Sequence, residues 1–242
     1  MIGDAGLDHA ALEQYRALAL MLQRSGPREA GRAVLVSSAL PVEGKSLTAA
    51  NLALTLGGSL GLRTLLIDCD LRRPTLRALF SHATPVARDP EAEPCLPGMP
   101  SDAAMWEVGR NVQLLSMGAQ ASAEPVSFLA TPVMAELVGS ARRQFDWLVV
   151  DSPPAALMPD ANMLAQLTDG VLLVVLAGST PAEAARRALA GIGSDRVLGV
   201  VMNQVSTTTP DTALHYYASY GRYYDSDQDA AGKPVRASRV LE

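Results

Sequence analysis

The sequence has few of the residues that build disulfide frameworks, metal clusters and membrane spans. Its two cysteines, Cys69 and Cys95, are far apart without CxxC spacing, and its three histidines are scattered. This pattern predicts neither a disulfide framework nor a cysteine-histidine metal cluster. The longest fully apolar run, residues 171–177, is far too short to cross a bilayer, and no basic leader precedes an apolar stretch at the N-terminus. We therefore expect a cytoplasmic protein that is at most peripheral to a membrane.

An excess of positive charge is also absent. The 242 residues carry a net charge of −5, which gives no support to nucleic-acid binding through a basic face. Hydrophobic residues make up 48% and charged residues 19%, a balance typical of globular proteins, and the length suits a single α/β domain. Any partner should therefore be recognised through specific groups rather than through overall charge.

Six short apolar runs alternate with stretches of helical composition. Because these runs are apolar at nearly every position, they predict strands that are covered on both faces. The fold class that follows is α/β, a mostly parallel sheet with helices on both faces. The runs are RAVLVSS, RTLLIDCD, VQLLSMG, WLVVDSPP, GVLLVVLAG and RVLGVVMNQV.

Changes in composition divide the chain into three segments. Residues 1–30 are predicted to be a helical segment, because leucine and alanine recur at helical spacing there. Residues 31–205 are predicted to form the main domain, and residues 206–242 a flexible tail outside the core. Within the main domain, the stretch from Ser81 to Asn111 holds five prolines and is predicted to be a mobile surface loop.

A phosphate-binding loop is indicated where the first predicted strand ends. The stretch SSALPVEGKSLTAANLALTLG places a tight loop and the sequence Gly44-Lys45-Ser46 between a strand and a long helix. Backbone N–H groups of such a loop bind phosphates, the lysine reaches the β and γ phosphates, and the hydroxyl can ligate Mg²⁺. The usual pattern GxxxxGK[ST] has glycine where Ala39 stands, so this motif alone leaves an ordinary strand-to-helix turn as an alternative.

Carboxylates follow two other predicted strands. Asp68 and Asp70 come at the end of TLLIDCD, and Asp151 ends FDWLVVD. Open α/β sheets bind their ligands at the carboxyl ends of their strands. We predict that Asp68 and Asp70 hold Mg²⁺ or accept a proton from an incoming hydroxyl, and that Asp151 is a further magnesium carboxylate. A single aspartate at a strand end is more often a helix cap, but the three segments in this order favour a nucleotide site.

Five of the six tyrosines lie within nine positions near the end of the sequence. Their neighbours are Ala, Ser, Gly, Arg and Asp, which cannot form an apolar face, so the phenol groups should be exposed. A flexible segment can carry an exposed hydroxyl into an active site, its own or that of a neighbouring subunit. Taken without the upstream motifs, they suggest an interaction patch or a disordered end. Together with an ATP site they become candidate phosphoacceptors: Tyr216, Tyr217, Tyr220, Tyr223 and Tyr224.

Over most of its length the chain resembles the bacterial tyrosine kinases of capsular and extracellular polysaccharide synthesis. That family has a Walker A motif of the form SxxxGEGKS, a Walker A′ motif DxDxR, a Walker B motif ending in Asp, and a terminal tyrosine cluster. Residues 38–46, 68–72, 151 and 216–224 match in this order, with Val42 where the family often has glycine. The resemblance implies a P-loop NTPase-like fold and an autokinase that uses ATP and Mg²⁺ to phosphorylate its own tail, expected in trans, and that regulates polysaccharide synthesis and export.

The motifs and the resemblance together give a predicted site. The catalytic residues are Lys45, Asp68, Asp70 and Asp151. The metal ligands are Ser46, Asp68, Asp70 and Asp151. The nucleotide-binding residues are Ser38, Glu43, Gly44, Lys45, Ser46, Leu47 and, near the adenine, Asn203.

The resemblance also implies partners. The family's oligomerisation pattern ExxRxxR occurs here as Glu13, Arg16 and Ala19, which predicts self-association, with a ring as the hypothesis and an ion pair within one helix as the alternative. Other implied partners are a transmembrane polysaccharide chain-length regulator that activates the kinase and a tyrosine phosphatase. The stretch from Ser81 to Asn111 is either a contact for the regulator or a variable insertion.

Two other functions stay open at this stage. An ATPase switch of the partitioning type shares the fold, but it carries a lysine five residues before the invariant one, where this chain has Leu40. Iron–sulfur scaffold ATPases need a CxxC pair, which the sequence lacks. The second open function is a catalytically inactive nucleotide-binding adaptor, and it is kept open by Ala39 and Val42.

Overall fold

A computed structural model describes residues 9–24, 30–80, 82–86 and 96–205. The predicted phosphoacceptor tyrosines therefore lie outside the described residues, as does Cys95. The strands are β1 Arg32–Ser38, β2 Thr64–Asp68, β3 Thr84–Pro85, β4 Ala104–Gly109, β5 Val112–Ser116, β6 Trp147–Asp151, β7 Gly170–Leu176 and β8 Val197–Asn203. They form one sheet in the order β3-β4-β5-β2-β6-β1-β7-β8.

Helices cover both faces of this sheet. The helices are α1 His9–Gln23, α2 Lys45–Leu54, α3 Leu76–Leu79, α4 Ala119–Ala123, α5 Pro125–Leu129, α6 Pro132–Gln144, α7 Asp160–Ala165 and α8 Ala182–Ile192. A π-helical turn, Thr55–Ser59, extends α2. Buried residues of α1, α2 and α3 pack with Val34 and Val36 on one face, and those of α4 to α8 pack with Ala33 and Leu35 on the other. Successive residues of β1 thus pack into two separate cores, because the side chains of a strand point alternately to its two faces.

The six apolar runs become β1, β2, β5, β6, β7 and β8, and every pairing among them is parallel. The predicted α/β class with a mostly parallel sheet is confirmed. Within the described part of residues 1–30, the predicted helix occurs as α1, His9–Gln23. Among the described residues, no helix combines the length and the apolarity that crossing a bilayer requires.

The prediction of a mobile surface loop from Ser81 to Asn111 is wrong for much of that stretch. Residues 104–109 form β4, which pairs antiparallel with β5 and with the short β3. Leu96, Met99 and Met105 are buried in the core on the α4-to-α8 face. Pro97 and Pro100 lie outside the regular elements, but Leu96 and Met99 beside them gain from burial and hold this part of the segment against the sheet.

The prediction that every strand is covered on both faces fails at β8. This strand lies at the edge of the sheet, and its exposure alternates along its length. Leu198, Val200 and Met202 are exposed, although the sequence VLGVVMN is almost entirely apolar. Apolarity at every position therefore marks the central strands correctly but does not identify an edge strand.

Candidate active site

Three motifs meet because their strands are neighbours in the sheet. β6 lies between β2 and β1, so the ends of all three strands meet at one edge. Asp68, the last residue of β2, is in register with Asp151, the last residue of β6. Asp151 is in register with Val36 of β1, two residues before that strand ends and the phosphate-binding loop begins. The sequence predicted this convergence, and the parallel register produces it.

The loop from β1 to α2 owes its shape to two residues with positive φ. Val42 has φ 65° and Gly44 has φ 92°. A Cβ on Gly44 would lie 2.1 Å from Nδ2 of Asn203, so glycine is required there both by the backbone conformation and by the close approach. Asn203, at the end of β8, donates from Nδ2 to the Glu43 carbonyl oxygen at 2.9 Å. Within the described residues Asn203 therefore supports the loop backbone.

The side chain of Glu43 is buried and bonds within the protein. Its Oε2 accepts a hydrogen bond from the backbone N–H of Leu40 at 2.8 Å, and its Oε1 accepts one from the hydroxyl of Thr180. Thr180 in turn accepts a hydrogen bond from the N–H of Leu176 at 2.7 Å. The Glu43 carboxylate thus fixes the loop to the segment after β7. Thr180 is a residue that the sequence analysis missed, because no local motif marks a partner 137 positions away.

Lys45 joins the carboxylates across the cleft. Its Nζ lies 2.6 Å from Oδ2 of Asp70 and 3.7 Å from Oδ1 of Asp151, and it donates to the Ser46 hydroxyl at 3.2 Å. Asp68 accepts a hydrogen bond at Oδ2 from the N–H of Leu76 at 3.0 Å. The structure brings these five predicted residues together: Lys45, Ser46, Asp68, Asp70 and Asp151.

Burial dominates the electrostatics of two of these carboxylates. It raises the pKa of Asp151 to about 7, against the attraction of Lys45. It also raises the pKa of Asp68 to about 6, opposed mainly by the hydrogen bond from Leu76. Burial together with the charge of Asp68 holds the pKa of the Cys69 thiol well above its ordinary value. Cys69 is therefore a core residue and no nucleophile.

The donor set fits Mg²⁺ bound together with a phosphate group. Both carboxylate oxygens of Asp151, and Oδ1 of Asp68, are buried without a hydrogen-bond partner among the described residues. Buried carboxylate oxygens without a hydrogen bond are costly unless a cation meets them, and within the described residues Lys45 pairs only with Oδ1 of Asp151 among these three oxygens. No cluster of three or more His, Cys, Asp or Glu side chains suited to a metal occurs in the part of the chain that the structure describes. Mg²⁺ is usually held by only one or two carboxylates plus phosphate and water, and Ser46 with Asp151 matches that set.

A cleft of about 570 Å³ opens over these residues. Its walls include Lys45, Ser46 and Asp70 from the motifs, and the volume lies in the range of small-ligand sites. A cavity of about 630 Å³ lies at the opposite edge of the sheet, around Arg32 and Trp147, and contains none of the motif residues. We therefore assign the candidate site to the first cleft.

The remaining predicted residues take up different positions. Leu47 is exposed at the cleft mouth. Ser38 is buried and donates its hydroxyl to the carbonyl oxygen of Leu40 at 2.7 Å, so its side chain shapes the loop. Glu13 and Arg16 form an ion pair within α1, which is the alternative that the sequence left open. Ala19 is fully buried, so the third position of that pattern faces the core.

Similar proteins identify the family of this chain. Residues 30–227 match the family model described as ParA, NUBPL iron-transfer P-loop NTPase. Tyrosine-protein kinase YwqD of Bacillus subtilis is 30% identical over 217 residues, which cover 89% of this chain and 87% of that protein. The chain belongs to the bacterial tyrosine kinases of the P-loop NTPase family.

Two further comparisons show how much of such a kinase the chain represents. The succinoglycan biosynthesis transport protein ExoP of Rhizobium meliloti is 37% identical over 205 residues, 80% of this chain, and the chain spans about 25% of ExoP's length. The kinase domain of VpsO is 27% identical with a TM-score of 0.64, and the match covers 81% of this chain and 97% of that domain. The chain thus corresponds to a kinase domain.

In this kinase family member, one ion pair beside the cleft was not predicted. Arg72, the arginine of the Walker A′ motif, donates from Nε to Asp160 at 3.2 Å. Asp160 is buried at the start of α7. The pair links the segment after β2 to the segment after β6. Nothing in the local sequence around Asp160 identifies it as a partner 88 residues away.

Proposed function

We propose that this chain is an ATP-dependent protein-tyrosine autokinase. It transfers the γ-phosphate of ATP to the tyrosines of its own tail, residues 216–224, in trans, and thereby regulates the synthesis and export of an exopolysaccharide or capsule. The observation that carries the proposal is the register of Asp68 with Asp151, beside Lys45 and Ser46, at the edge of the sheet where the cleft opens.

Each residue has a defined task in the proposed reaction. Lys45 binds the β and γ phosphate oxygens and withdraws the charge that develops there. Ser46 and Asp151 hold Mg²⁺, which supplies charge neutralisation when it is bound. Gly44 and its neighbours bind phosphate through backbone N–H groups.

We assign the activation of the acceptor phenol to Asp70. Its carboxylate lines the cleft, whereas Asp68 is buried behind it and held by Leu76. Asp70 orients the phenol and takes its proton. The phenol oxygen forms a bond to the γ-phosphorus, the bond from that phosphorus to the bridging oxygen breaks, and ADP leaves with the electron pair. Lys45 and the positioning of both substrates account for most of the rate acceleration.

The same scheme extends to partners. The relatives named above include a succinoglycan biosynthesis transport protein and a tyrosine-protein kinase. We propose that a transmembrane chain-length regulator activates this kinase at the inner face of the membrane, and that a tyrosine phosphatase removes the phosphate groups from the tail.

The test is phosphopeptide mapping. The purified chain is incubated with Mg·ATP, and phosphotyrosine is located by mass spectrometry, with Lys45→Met as the matched control. We expect phosphate on tyrosines of residues 216–224 in the unaltered chain and none in the variant. ATP hydrolysis without phosphotyrosine would instead identify a partitioning-type switch, and nucleotide binding without either reaction would identify an inactive adaptor.

A further inference from the structure

Three cationic side chains line the cleft, and two of them are neutralised within the protein. Lys45 pairs with Asp70, and Arg72 pairs with Asp160. The guanidinium of Arg73 is exposed and has no hydrogen-bond or ion-pair partner among the described residues. The mouth of the cleft therefore presents one positive charge that the described part of the fold leaves unpaired.

The backbone beneath Arg73 is fixed. Its N–H donates to the carbonyl oxygen of Asp70 at 3.0 Å and to Oδ1 of the same residue at 3.2 Å. Pro74 follows with its restricted φ, and the hydroxyl of Thr75 donates to Ser46 at 3.2 Å. The side chain of Arg73 thus starts from a defined point beside the phosphate-binding residues, so a group that it binds is held at a defined distance from them.

Apolar side chains surround the same cleft mouth. Val42, Leu157 and Leu47 line it with 90%, 53% and 43% of their surface exposed. We call these three residues the apolar collar. Large apolar groups grouped around a polar cleft indicate a ligand with an apolar body and a polar tip, which describes a phenol ring. Asn203, which the sequence analysis assigned to the adenine, does not line this cleft.

The chain carries a segment that matches both features. Tyr223 is followed by Asp225, Asp227 and Asp229, every second residue along the chain. In an extended bound segment, residues two apart point to the same side and are roughly 7 Å apart. Tyr223 would then insert its ring while Asp225 and Asp227 face the same surface. Tyr216, Tyr217 and Tyr220 lack aspartates at these positions.

We propose that Arg73 selects the acceptor tyrosine by pairing with the aspartates that follow it, while the apolar collar holds the ring. The preferred acceptor is Tyr223 of the tail of a second copy of the chain. This inference rests on the proposed kinase function, and it assigns the recognition of the acceptor to a residue that lies outside the phosphate-binding motif.

The test uses the full chain with its five tail tyrosines replaced by phenylalanine, so that only added peptide is phosphorylated. The peptide spans residues 218–232 with Tyr220→Phe and Tyr224→Phe, and a second version has Asp225, Asp227 and Asp229 replaced by asparagine. We expect Arg73→Gln to raise KM for the aspartate peptide about three- to tenfold, as for an exposed, charge-assisted pair, with kcat unchanged. Arg143→Gln, which removes an exposed arginine at the opposite edge of the sheet, should leave KM unchanged.

Further arms separate the alternatives. Arg73→Glu should prefer a peptide with lysine at positions 225 and 227, and Leu157→Ala should raise KM for the aspartate and asparagine peptides alike. The inference is overturned if the unaltered enzyme uses both peptides equally, which would make Arg73 an ordinary solvated arginine. It is also overturned if Arg73→Gln weakens Mg·ATP binding by the same factor for either peptide, which would make Arg73 a nucleotide ligand.

Failure of the kinase proposal gives a different result. Fluorescence anisotropy of labelled peptides reports docking without catalysis. One outcome is a protein that transfers no phosphate and still binds the aspartate peptide more tightly than the asparagine peptide in an Arg73-dependent way. That result would contradict the proposed function but support the docking inference. If Arg73→Gln does not change the difference in affinity between the two peptides, the docking inference is overturned.

Discussion

Val42 has a backbone conformation that suits it poorly. A β-branched residue in the left-handed region costs roughly 1–2 kcal/mol, and this side chain is almost fully exposed, so packing does not offset the cost. Such strain is characteristic of functional loops. Val42 stands where the family often has glycine. The structure shows that the side chain points out of the protein at the cleft mouth, so it leaves the loop backbone free to bind phosphate.

We predict that Val42→Gly stabilises the protein by about 1 kcal/mol. Glycine adopts a positive φ without steric cost, although it loses more chain entropy on folding, which reduces the gain. Val42→Asn should fall between the two, because asparagine tolerates this region better than valine does. Urea unfolding monitored by circular dichroism provides the measurement. A lower midpoint for Val42→Gly than for the unaltered chain would contradict the strain argument.

Single residues also mark the limit of prediction from the sequence. Lys45, Ser46 and the strand-end aspartates were identified as candidates because local motifs mark them. Two hydrogen bonds were missed, one from Thr180 to the Glu43 carboxylate and one from Asn203 to the Glu43 backbone carbonyl. These partners are 137 and 160 positions away from Glu43. Such contacts depend on which strands become neighbours, which no single segment encodes.

At the scale of elements, the strands with unbroken apolar runs were predicted well, and β4 and the exposure of β8 were not. β4 has only one buried residue in six, so its pattern AMWEVG lacks the apolar continuity of a central strand. β8 has that continuity but lies at the edge. A run of apolar residues shows which side chains a strand could bury. The position of the strand in the sheet decides which of those side chains are buried.

The edge position of β8 leads to a matched prediction. Leu173 of β7 and Val200 of β8 are in register on the same face of the sheet, yet the first is 1% exposed and the second 54%. Leu173→Ala should cost about 2–5 kcal/mol through the cavity that it creates. Val200→Ala should cost less than about 1 kcal/mol, since little packing is lost. Denaturant unfolding of both variants decides this, and equal losses would mean that another part of the protein covers Val200.

For the molecule as a whole, the proposed reaction can use the cleft of the same chain or the cleft of a second copy. β8 ends beside the phosphate-binding loop, where Asn203 bonds Glu43, and Tyr216 lies eleven residues beyond Val205. Eleven residues span at most about 40 Å at roughly 3.6 Å each, so chain length alone permits the chain's own cleft. Transfer in trans needs a contact between two copies, and we propose that the exposed Leu20 and Met21 of α1 belong to it.

Mixing two complementary variants tests transfer in trans. One partner is Lys45→Met with an intact tail, and the other has an intact cleft with its five tail tyrosines replaced by phenylalanine. We expect phosphotyrosine on the Lys45→Met chain, at a rate that rises with the concentration of the second chain, because association supplies the acceptor at a high effective concentration. Leu20→Glu combined with Met21→Glu in both chains should slow this transfer without changing Mg·ATP affinity, since both side chains lie on α1, which contributes no residue to the cleft lining. If the mixture stays unlabelled while the unaltered chain labels itself at a specific rate independent of dilution, the tail reaches its own cleft and the exposed surface of α1 serves another contact.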